Sequence, residues 1–292
     1  MIKVNGIKIK REHFPDGTQR LLDIDIFRLT HRYIDKEFIF DWKYENDEEL
    51  ITLIYLVNHF RENIYTIKQY SFILNLAYVP NARMDRTKNI NEVFTLKHFC
   101  KLINDLKFDQ VIICDPHSNI CTALLNNVFV VNCQPVIAEC VDLIEEDEYH
   151  HAGHDSSEII YYYPDAGAAK KYSEIIDGRY IYGEKKRDWE TGQIQGLEIK
   201  FDHAPNVNLE KCIILMVDDI ISYGGSLYYS TQALKKYNPK KIYAYVTHAE
   251  NSVLDKEKGK FINLLEDGSV EKLYTTDSIF TEEHKKIEVL KL

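Results

Sequence analysis

The stretch KCIILMVDDIISYGGSLYYSTQAL, residues 211–234, most constrains what this chain can fold into. The short apolar run from Cys212 to Val217 is rich in β-branched residues, which predicts a buried strand. Asp218 and Asp219 follow it directly, and a Gly-Gly-Ser turn then leads into apolar residues at helical spacing. The stretch therefore predicts a strand, an acidic turn, a glycine loop and a helix.

A glycine loop at the start of a helix has a chemical use. Its consecutive backbone N–H groups form a concave site for phosphate oxygens. The paired Asp218 and Asp219 suit sugar hydroxyls or Mg²⁺. The alternative is an ordinary strand-to-helix connection with capping acids, but two adjacent acids ahead of the loop favour a ligand site. The candidate phosphate-binding residues are Ser222, Tyr223, Gly224, Gly225 and Ser226.

The size and charge of the chain limit its function. With 292 residues, of which 45% are hydrophobic, it is long enough for two domains that each have a core. A net charge of −10 disfavours binding to nucleic acid or to anionic membranes and favours a small-molecule ligand. We expect no nucleic-acid partner and no membrane attachment.

Cysteine usage and the start of the chain indicate a compartment. The six cysteines never form a C-x-x-C pair, so we interpret them as reduced core residues. The first residues, MIKVNGIKIKREHF, lack the apolar segment of a signal peptide, and no later segment is long enough to span a bilayer. A cytoplasmic location is the expectation.

The same local pattern occurs three times along the chain. A strand, an acid-bearing loop and a helix are predicted at IICDPHSNI, at YYYPDAGAAKK and at MVDDIISYGGS. This alternation favours an α/β fold with two doubly wound parallel sheets and loops gathered at one edge. We place the first domain at 1–141 and the second at 142–292. The acidic segment 142–158 is predicted to be an exposed linker or flap, in which His150, His151 and His154 form a loosely spaced metal-binding candidate.

Cationic and polar side chains follow several predicted strands. Arg83, Arg86 and Lys88 come just after the predicted strand 71–79, and His117 lies in a polar loop after the strand 111–114. Ligands of open α/β sheets bind at the carboxyl ends of strands, so these are candidate binding residues rather than solvated turns. The connection EKKRDWETGQIQ, residues 184–195, is either a solvated loop or a cationic flap that closes over a polyphosphate.

Several segments together resemble the ribose-phosphate pyrophosphokinases, also called phosphoribosyl-pyrophosphate synthetases. The resemblance runs in order over nearly the whole chain, and P-D-A-G-x-x-K with K-K-R-D is its most specific part, because simple phosphoribosyltransferases lack that pair. The resembling segments are 14–18, 78–86, 115–118, 164–170, 185–188 and the loop phrase VDDIISYGGS.

The resemblance implies two tandem domains of the type I phosphoribosyltransferase fold, with ATP and Mg²⁺ at their junction. It implies that the β,γ-diphosphate of ATP moves to the anomeric hydroxyl of a ribose 5-phosphate, with release of AMP. The implied ATP-binding residues are Phe14, Asp16, Arg83, Asp85 and Arg86, with the first two reaching adenine from a neighbouring subunit.

The resemblance assigns further roles near the transferred group. His117 and Asp165 would orient Mg²⁺ and the nucleotide, and His117 is also a catalytic candidate. Lys185 and Arg187 would stabilise the transferring diphosphate. Asp218 and Asp219 would hold ribose hydroxyls and metal, and the loop 222–226 would hold the 5-phosphate of the acceptor. A homo-oligomer, either a dimer or a hexamer, is implied as well.

The chain departs from the family pattern at the phosphate loop. Family members usually carry D-T-G/A-G-T where this chain has S-Y-G-G-S, Met84 stands where Gln is usual, and Thr18 where an acid is usual. Tyr223 would crowd a free phosphate monoester, yet it could border a larger group attached through that phosphate. This suggests ADP-ribose as the acceptor, giving ADP-ribose pyrophosphate in a salvage route to NAD.

Two functions from other classes remain open. A phosphoribosyltransferase would need only the glycine loop and would leave the basic segments without a role. A non-catalytic regulator of a synthetase would have no reason to keep phosphate-binding charges at Lys185, Arg187, Asp165 and His117.

Overall fold

The computed structural model describes residues 1–22, 24, 37–63, 70–152, 157–187 and 194–292, with backbone alone at 150–152, 185–187 and 194–196. The chain forms two compact units, Met1–Asn132 and Cys133–Leu292. This division lies earlier than the expected boundary after residue 141, because a helix that begins at Gln134 continues through that position.

The first unit is a sheet with helices between its strands. Strands β5 to β8 run parallel, β1 pairs antiparallel with β5, and the sheet order is β2-β1-β5-β6-β7-β8. A separate two-stranded hairpin, β3-β4, lies outside that order. The elements are β1 Ile2–Val4, β2 Ile7–Lys8, β3 Lys10–His13, β4 Gln19–Leu22, β5 Glu37–Trp42, α1 Glu48–Asn63, β6 Ser71–Asn75, α2 Thr95–Asp105, β7 Gln110–Cys114, α3 Asn119–Leu124 and β8 Val128–Val131.

Aromatic side chains fill much of the core of the first unit. The ring of Phe40 lies 5.8 Å from those of both Phe60 and Phe72, so strands β5 and β6 and helix α1 share one apolar layer. Trp42 Nε1 donates to Glu49 Oε2 at 2.9 Å, which satisfies the buried indole N–H. The alternation of buried side chains along β5 matches a strand covered mainly on one face.

The second unit is a seven-stranded sheet in the order β11-β10-β9-β12-β13-β14-β15. All neighbours run parallel except the antiparallel pair β10-β11. The elements are α4 Gln134–Ala152, β9 Ile159–Tyr163, α5 Ala166–Ser173, β10 Tyr180–Arg187, β11 Ile194–Lys200, β12 Ile213–Ile221, α6 Gly225–Leu234, β13 Lys241–Ala249, α7 Phe261–Glu266, β14 Leu273–Thr276 and β15 Ile287–Leu290.

Helix α4 corrects one prediction. The segment 142–152 was expected to be a linker, but it is helical, and Cys140, Ile144 and Glu148 are buried at helical spacing. Glu148 Oε1 accepts from Lys241 Nζ at 2.6 Å and from Tyr243 OH at 2.9 Å, which ties the helix to strand β13. A buried acid at this position hid the helical pattern in the sequence.

Two other predictions, on the cysteines and on the fold class, are confirmed. The six cysteines are buried and free, as expected for reduced core residues. Both sheets contain runs of parallel strands alternating with helices, which confirms the α/β class. Across the described ranges, every helix is too short or too polar to cross a bilayer.

Candidate functional site

Strand β12 carries the two acids inside the sheet rather than after it. The expected strand ended at Val217, but parallel pairing with β13 continues through Asp218 opposite Val246 and Ile221 opposite Ala249. Asp218 is half-buried and Asp219 is buried. The acids therefore lie at the carboxyl end of a central strand, with their backbone fixed by the ladder.

The loop after β12 has a fixed backbone and an open face. Gly224 has φ +74°, and a Cβ added there would lie 2.2 Å from Phe261 Cβ, so only glycine fits. A Cβ added at Gly225 would meet nothing within 4 Å. The loop thus packs against the start of α7 on one side and leaves the first residue of α6 open on the other.

Three carboxyl groups influence one another at this edge of the sheet. Burial, followed by the charge of Asp219 and a hydrogen bond with it, raises the pKa of Asp218 well above its ordinary value, and the charge of Asp165 adds to the effect. The backbone N–H of Asp219 donates to Asp218 Oδ1 at 3.0 Å. Negative charge is concentrated where a cation or a hydroxyl donor would stabilise it.

Asp165 has a structural role that the sequence pattern did not reveal. Its Oδ1 accepts from the backbone N–H groups of Gly167 and Ala168, both at 3.0 Å, which caps helix α5. A Cβ at Gly167 would lie 3.2 Å from the same oxygen. The cap holds this carboxylate directly after β9, beside β12 in the sheet.

The segment expected to be a flexible cationic flap is partly strand. Lys185, Lys186 and Arg187 belong to β10, which pairs with β11 through Arg187 opposite Ile194. The pairing of β10 with β9 ends earlier, at Tyr182 opposite Tyr163. The β10-β11 hairpin therefore projects beyond the carboxyl end of β9, and its connection 188–193 lies outside the described residues.

Residues distant in sequence complete the surroundings of the loop. Ser222 Oγ and Ser252 Oγ lie 3.0 Å apart, and Ser252 Oγ donates to Glu250 Oε2 at 3.1 Å. The backbone N–H of Lys260 donates to the carbonyl of Tyr223 at 2.9 Å. Sequence reasoning missed Ser252 and Lys260, because no local motif links them to the glycine loop.

Four predicted residues of the first unit follow two neighbouring parallel strands of its sheet. Arg83, Asp85 and Arg86 follow β6, and His117 follows β7, its parallel neighbour. Arg83, Arg86 and His117 are exposed, and Arg86 Nε lies 3.6 Å from Asp85 Oδ1. Exposed guanidinium and imidazole groups are side chains that can bind an anion, so these positions stay candidate binding residues.

The hairpin β3-β4 presents an aromatic residue. Phe14 is 49% exposed, and the guanidinium carbon of Arg20 lies 6.0 Å from its ring centroid. Asp16 Oδ1 accepts from Thr18 N at 3.0 Å and from Thr18 Oγ1 at 2.7 Å, and these hydrogen bonds lower the pKa of Asp16. Thr18, which replaces an acid of the family pattern, therefore stabilises the turn.

The side chains of the second unit suit Mg²⁺, which needs few protein ligands, better than a metal ion that is coordinated by protein side chains alone. Within the described ranges, no three His, Cys, Asp or Glu side chains form a ligand set for a metal ion. Mg²⁺ typically takes one or two carboxylates and completes its shell with water and substrate phosphates. Asp218 and Asp219 meet that requirement. His117 and Asp165 lie in different units, so their joint role in metal binding stays a prediction, and His154 lies outside the described residues.

The chain is similar in sequence to several curated proteins that share one name. No protein-family model matches the chain. A ribose-phosphate pyrophosphokinase of Saccharolobus solfataricus is 26% identical over 254 residues, which is 85% of this chain and 78% of the relative. The protein of the same name from Sulfurisphaera tokodaii is 24% identical over 285 residues, which is 96% of this chain and 87% of the relative. The one from Pyrococcus furiosus is 27% identical over 249 residues, which is 84% of this chain and 78% of the relative.

A solved structure shares the fold. Phosphoribosylpyrophosphate synthetase from Mycobacterium smegmatis superposes with a TM-score of 0.72 at 14% identity and covers 97% of this chain and 86% of its own. The superposition confirms two tandem domains of the phosphoribosyltransferase type with parallel sheets. The chain is therefore a divergent relative of the ribose-phosphate pyrophosphokinases.

Proposed function

We propose that this chain is an ATP-dependent pyrophosphokinase that acts on an acceptor of the ribose 5-phosphate type. The anomeric oxygen of the acceptor attacks the β-phosphorus of ATP, and the bond from that phosphorus to the α,β-bridging oxygen breaks. AMP leaves with the bridging oxygen, and the hydroxyl proton passes to solvent. The curated relatives with this activity in their name support the proposal.

One observation carries the proposal: the loop between β12 and α6 combines a fixed backbone with an open face. Gly224 is locked against Phe261, whereas the space beside Gly225 is empty. Backbone N–H groups at the start of α6 can therefore meet a 5-phosphate without rearrangement. Ser222, Tyr223 and Ser226 border that site.

The acids of β12 hold the acceptor sugar in this proposal. Asp218 and Asp219 accept hydrogen bonds from ribose hydroxyls, and their carboxylates would help to hold Mg²⁺. When bound, Mg²⁺ would neutralise charge on the polyphosphate. The raised pKa of Asp218 means that a cation or hydroxyl donor at this carboxyl group would be stabilising.

The remaining predicted residues serve the ATP side. Diphosphate transfer requires alignment and positive charge at the transition state rather than a protein nucleophile. The donor-side set is Phe14 and Asp16 for adenine, Arg83, Asp85 and Arg86 for the phosphates, Lys185 and Arg187 for the transferring diphosphate, and His117 with Asp165 for the metal-bound nucleotide.

A second, finer proposal concerns the acceptor. Tyr223 is 39% exposed in the phosphate loop, where family members carry a small hydroxyl residue. A bulky exposed ring at the rim favours an acceptor whose 5-phosphate is substituted, such as ADP-ribose, over a free monoester. The product would be ADP-ribose pyrophosphate, an intermediate for salvage of NAD. Turnover of ribose 5-phosphate together with none of ADP-ribose would contradict it.

The test is AMP formation by purified protein with ATP, Mg²⁺ and either ribose 5-phosphate or ADP-ribose, with both products followed by mass. We expect Asp218→Asn to lower kcat/KM by about 100-fold, as for the loss of a group that stabilises a transition state. Asp202→Asn is the matched control, because Asp202 is an exposed acid elsewhere in the same unit. Absence of AMP with both acceptors would overturn the proposal and favour a non-catalytic regulator.

The same proposal includes a homo-oligomer, a dimer or a hexamer, in which an exposed Phe14 completes the site of a neighbour. It also includes a cytoplasmic location, where ATP and ribose phosphates are available. Light scattering of the purified protein, compared with Phe14→Ser, tests the first part. If Phe14 contacts adenine rather than holding subunits together, Phe14→Ser should lower AMP formation while the mass of the oligomer stays the same.

A further inference from the structure

Lys260 is attached to the backbone of the phosphate loop. Its N–H donates to the carbonyl of Tyr223 at 2.9 Å, and the next residue, Phe261, fills the space beneath Gly224. Any movement of the loop would therefore move Lys260 as well. Lys260 therefore lies next to the loop in the folded chain, although the two are far apart in sequence.

The ammonium group of Lys260 lies among tyrosines. Nζ donates to Tyr229 OH at 2.8 Å and lies 4.8 Å from the ring centroid of Tyr229 and 5.7 Å from that of Tyr228. No carboxylate in the described part of the chain forms an ion pair with it. Lys241 and Lys256 of the same unit, by contrast, each reach a glutamate at 2.6 Å.

The surroundings of this cation stabilise its charge and leave it exposed to solvent. The two tyrosine rings attract the ammonium group, and the hydrogen bond with Tyr229 raises the pKa of Lys260. An exposed ammonium group without a carboxylate partner in the described part of the chain can bind an anion.

An open surface connects the loop to this cation. Gly225 and Tyr229 are four residues apart on α6 and so lie on one face of the helix, about one 5.4 Å turn apart. A Cβ at Gly225 meets nothing within 4 Å, and Tyr229 is 55% exposed. A ligand bound through a phosphate at the loop can extend along this face toward Lys260.

We propose that Lys260 and Tyr229 form a specificity-determining subsite for a second phosphoryl group, attached to the 5-phosphate of the acceptor as in ADP-ribose. The inference rests on the proposed function, because it assumes that the loop binds the 5-phosphate. A lysine ammonium has three donors, of which Tyr229 uses one, so two remain for phosphate oxygens. Ribose 5-phosphate has no group that reaches the subsite.

Direct binding tests the subsite independently of turnover. Calorimetric titration with ADP-ribose and with ribose 5-phosphate is compared among the wild type, Lys260→Met, Tyr229→Phe and Lys235→Met. Lys235 is a matched control, because it is an exposed lysine at the other end of α6 that also donates to a hydroxyl, Ser269 Oγ at 2.8 Å. Thermal unfolding of each variant establishes that it is folded.

We expect Lys260→Met to weaken ADP-ribose binding by about 10-fold, as for loss of a charge-assisted contact, and to leave ribose 5-phosphate binding within about 2-fold. Tyr229→Phe keeps the ring and removes the hydroxyl, so a smaller, selective loss is expected. Lys235→Met should match the wild type with both ligands.

Equal weakening for both ligands, or a wild type that binds ADP-ribose no more tightly than ribose 5-phosphate, would overturn the subsite. If Lys260→Met does not fold, the selective loss in Tyr229→Phe decides the matter. AMP formation with either acceptor, measured separately, decides the proposed function, so a subsite that fails in an active enzyme is distinguishable from a chain without activity.

Discussion

Replacing Gly224 by alanine should destabilise the second unit, because both backbone angle and space exclude a side chain there. A left-handed conformation costs a residue with a Cβ about 1 to 2 kcal/mol. The contact at 2.2 Å with Phe261 Cβ requires α7 to shift, which adds about 1 to 3 kcal/mol by analogy with overpacked cores. Restricting the unfolded chain offsets about 0.5 to 1 kcal/mol, so the net loss is about 1 to 4.5 kcal/mol.

Differential scanning calorimetry is the appropriate assay, since the two units can unfold separately. For a unit of this size each kcal/mol shifts Tm by about 2 to 4 °C, so a decrease of about 2 to 18 °C is expected. Gly225→Ala is the matched control, because its added Cβ meets open space within a helix. It should leave stability unchanged or raise it by up to about 1 kcal/mol. The reasoning would be refuted if Gly224→Ala had the same Tm as the wild type, or if Gly224→Ala and Gly225→Ala lowered the Tm equally.

Three further outcomes are expected. Without Mg²⁺, the raised pKa of Asp218 means that its ionisation opposes folding, so stability should fall as pH rises above about 4 toward the raised value, and Asp218→Asn should be more stable than the wild type at neutral pH in calorimetry. Burial by itself would raise the pKa of Glu148. The hydrogen bonds that it accepts, first from Lys241 and then from Tyr243, outweigh burial, so its pKa is lowered. Its stabilisation should therefore be lost as pH falls below about 4.5, and Glu148→Gln should flatten the pH dependence of unfolding in that acidic range. Ser252→Ala removes the hydrogen-bond partner of Ser222. It should raise the KM for the acceptor and lower the free energy of unfolding by about 1 kcal/mol. A KM equal to that of the wild type would show that this contact does not shape the loop.

The buried strands were predictable because continuous apolar runs have few alternatives. The apolar and aromatic run 159–163 predicts a strand and forms β9, Ile159–Tyr163, and the helical spacing of Leu50, Leu53, Ile54 and Val57 predicts the helix that forms α1. The start of the chain is less predictable, because the opening residues 2–9 by themselves suggest a single strand. Instead Asn5 and Gly6, with φ 46° and 76°, form a turn between β1 and β2. Asn-Gly is a strong signal for such a hairpin.

Predictions failed where a polar residue occupies a buried or paired position. Glu148 interrupts the apolar pattern of α4 because Lys241 compensates its burial. Asp218 and Asp219 continue β12 because the neighbouring strand satisfies their backbone. The basic segment at 185–187 is strand for the same reason, since β11 pairs with it. Such compensation comes from distant residues, so local sequence patterns do not contain it.

The candidate site was only partly predictable. The loop 222–226 and its acids were identified from chemistry that depends on neighbours in sequence. Lys260 and Ser252 reach the loop through the fold alone, by a backbone hydrogen bond and a hydroxyl contact. Contacts of that kind require knowledge of which strands are adjacent.

The packing of Gly224 on Phe261 also has an evolutionary consequence. Substitution of Gly224 is unfavourable unless α7 moves. Ser226 and Tyr223, by contrast, are exposed, so their side chains can be replaced without disturbing the backbone of a neighbouring element. Selection can therefore alter what the loop recognises while its shape is inherited unchanged. Among distant relatives of this chain, acceptor preference should diversify faster than architecture, and the bordering positions of the loop are where that divergence should be recorded.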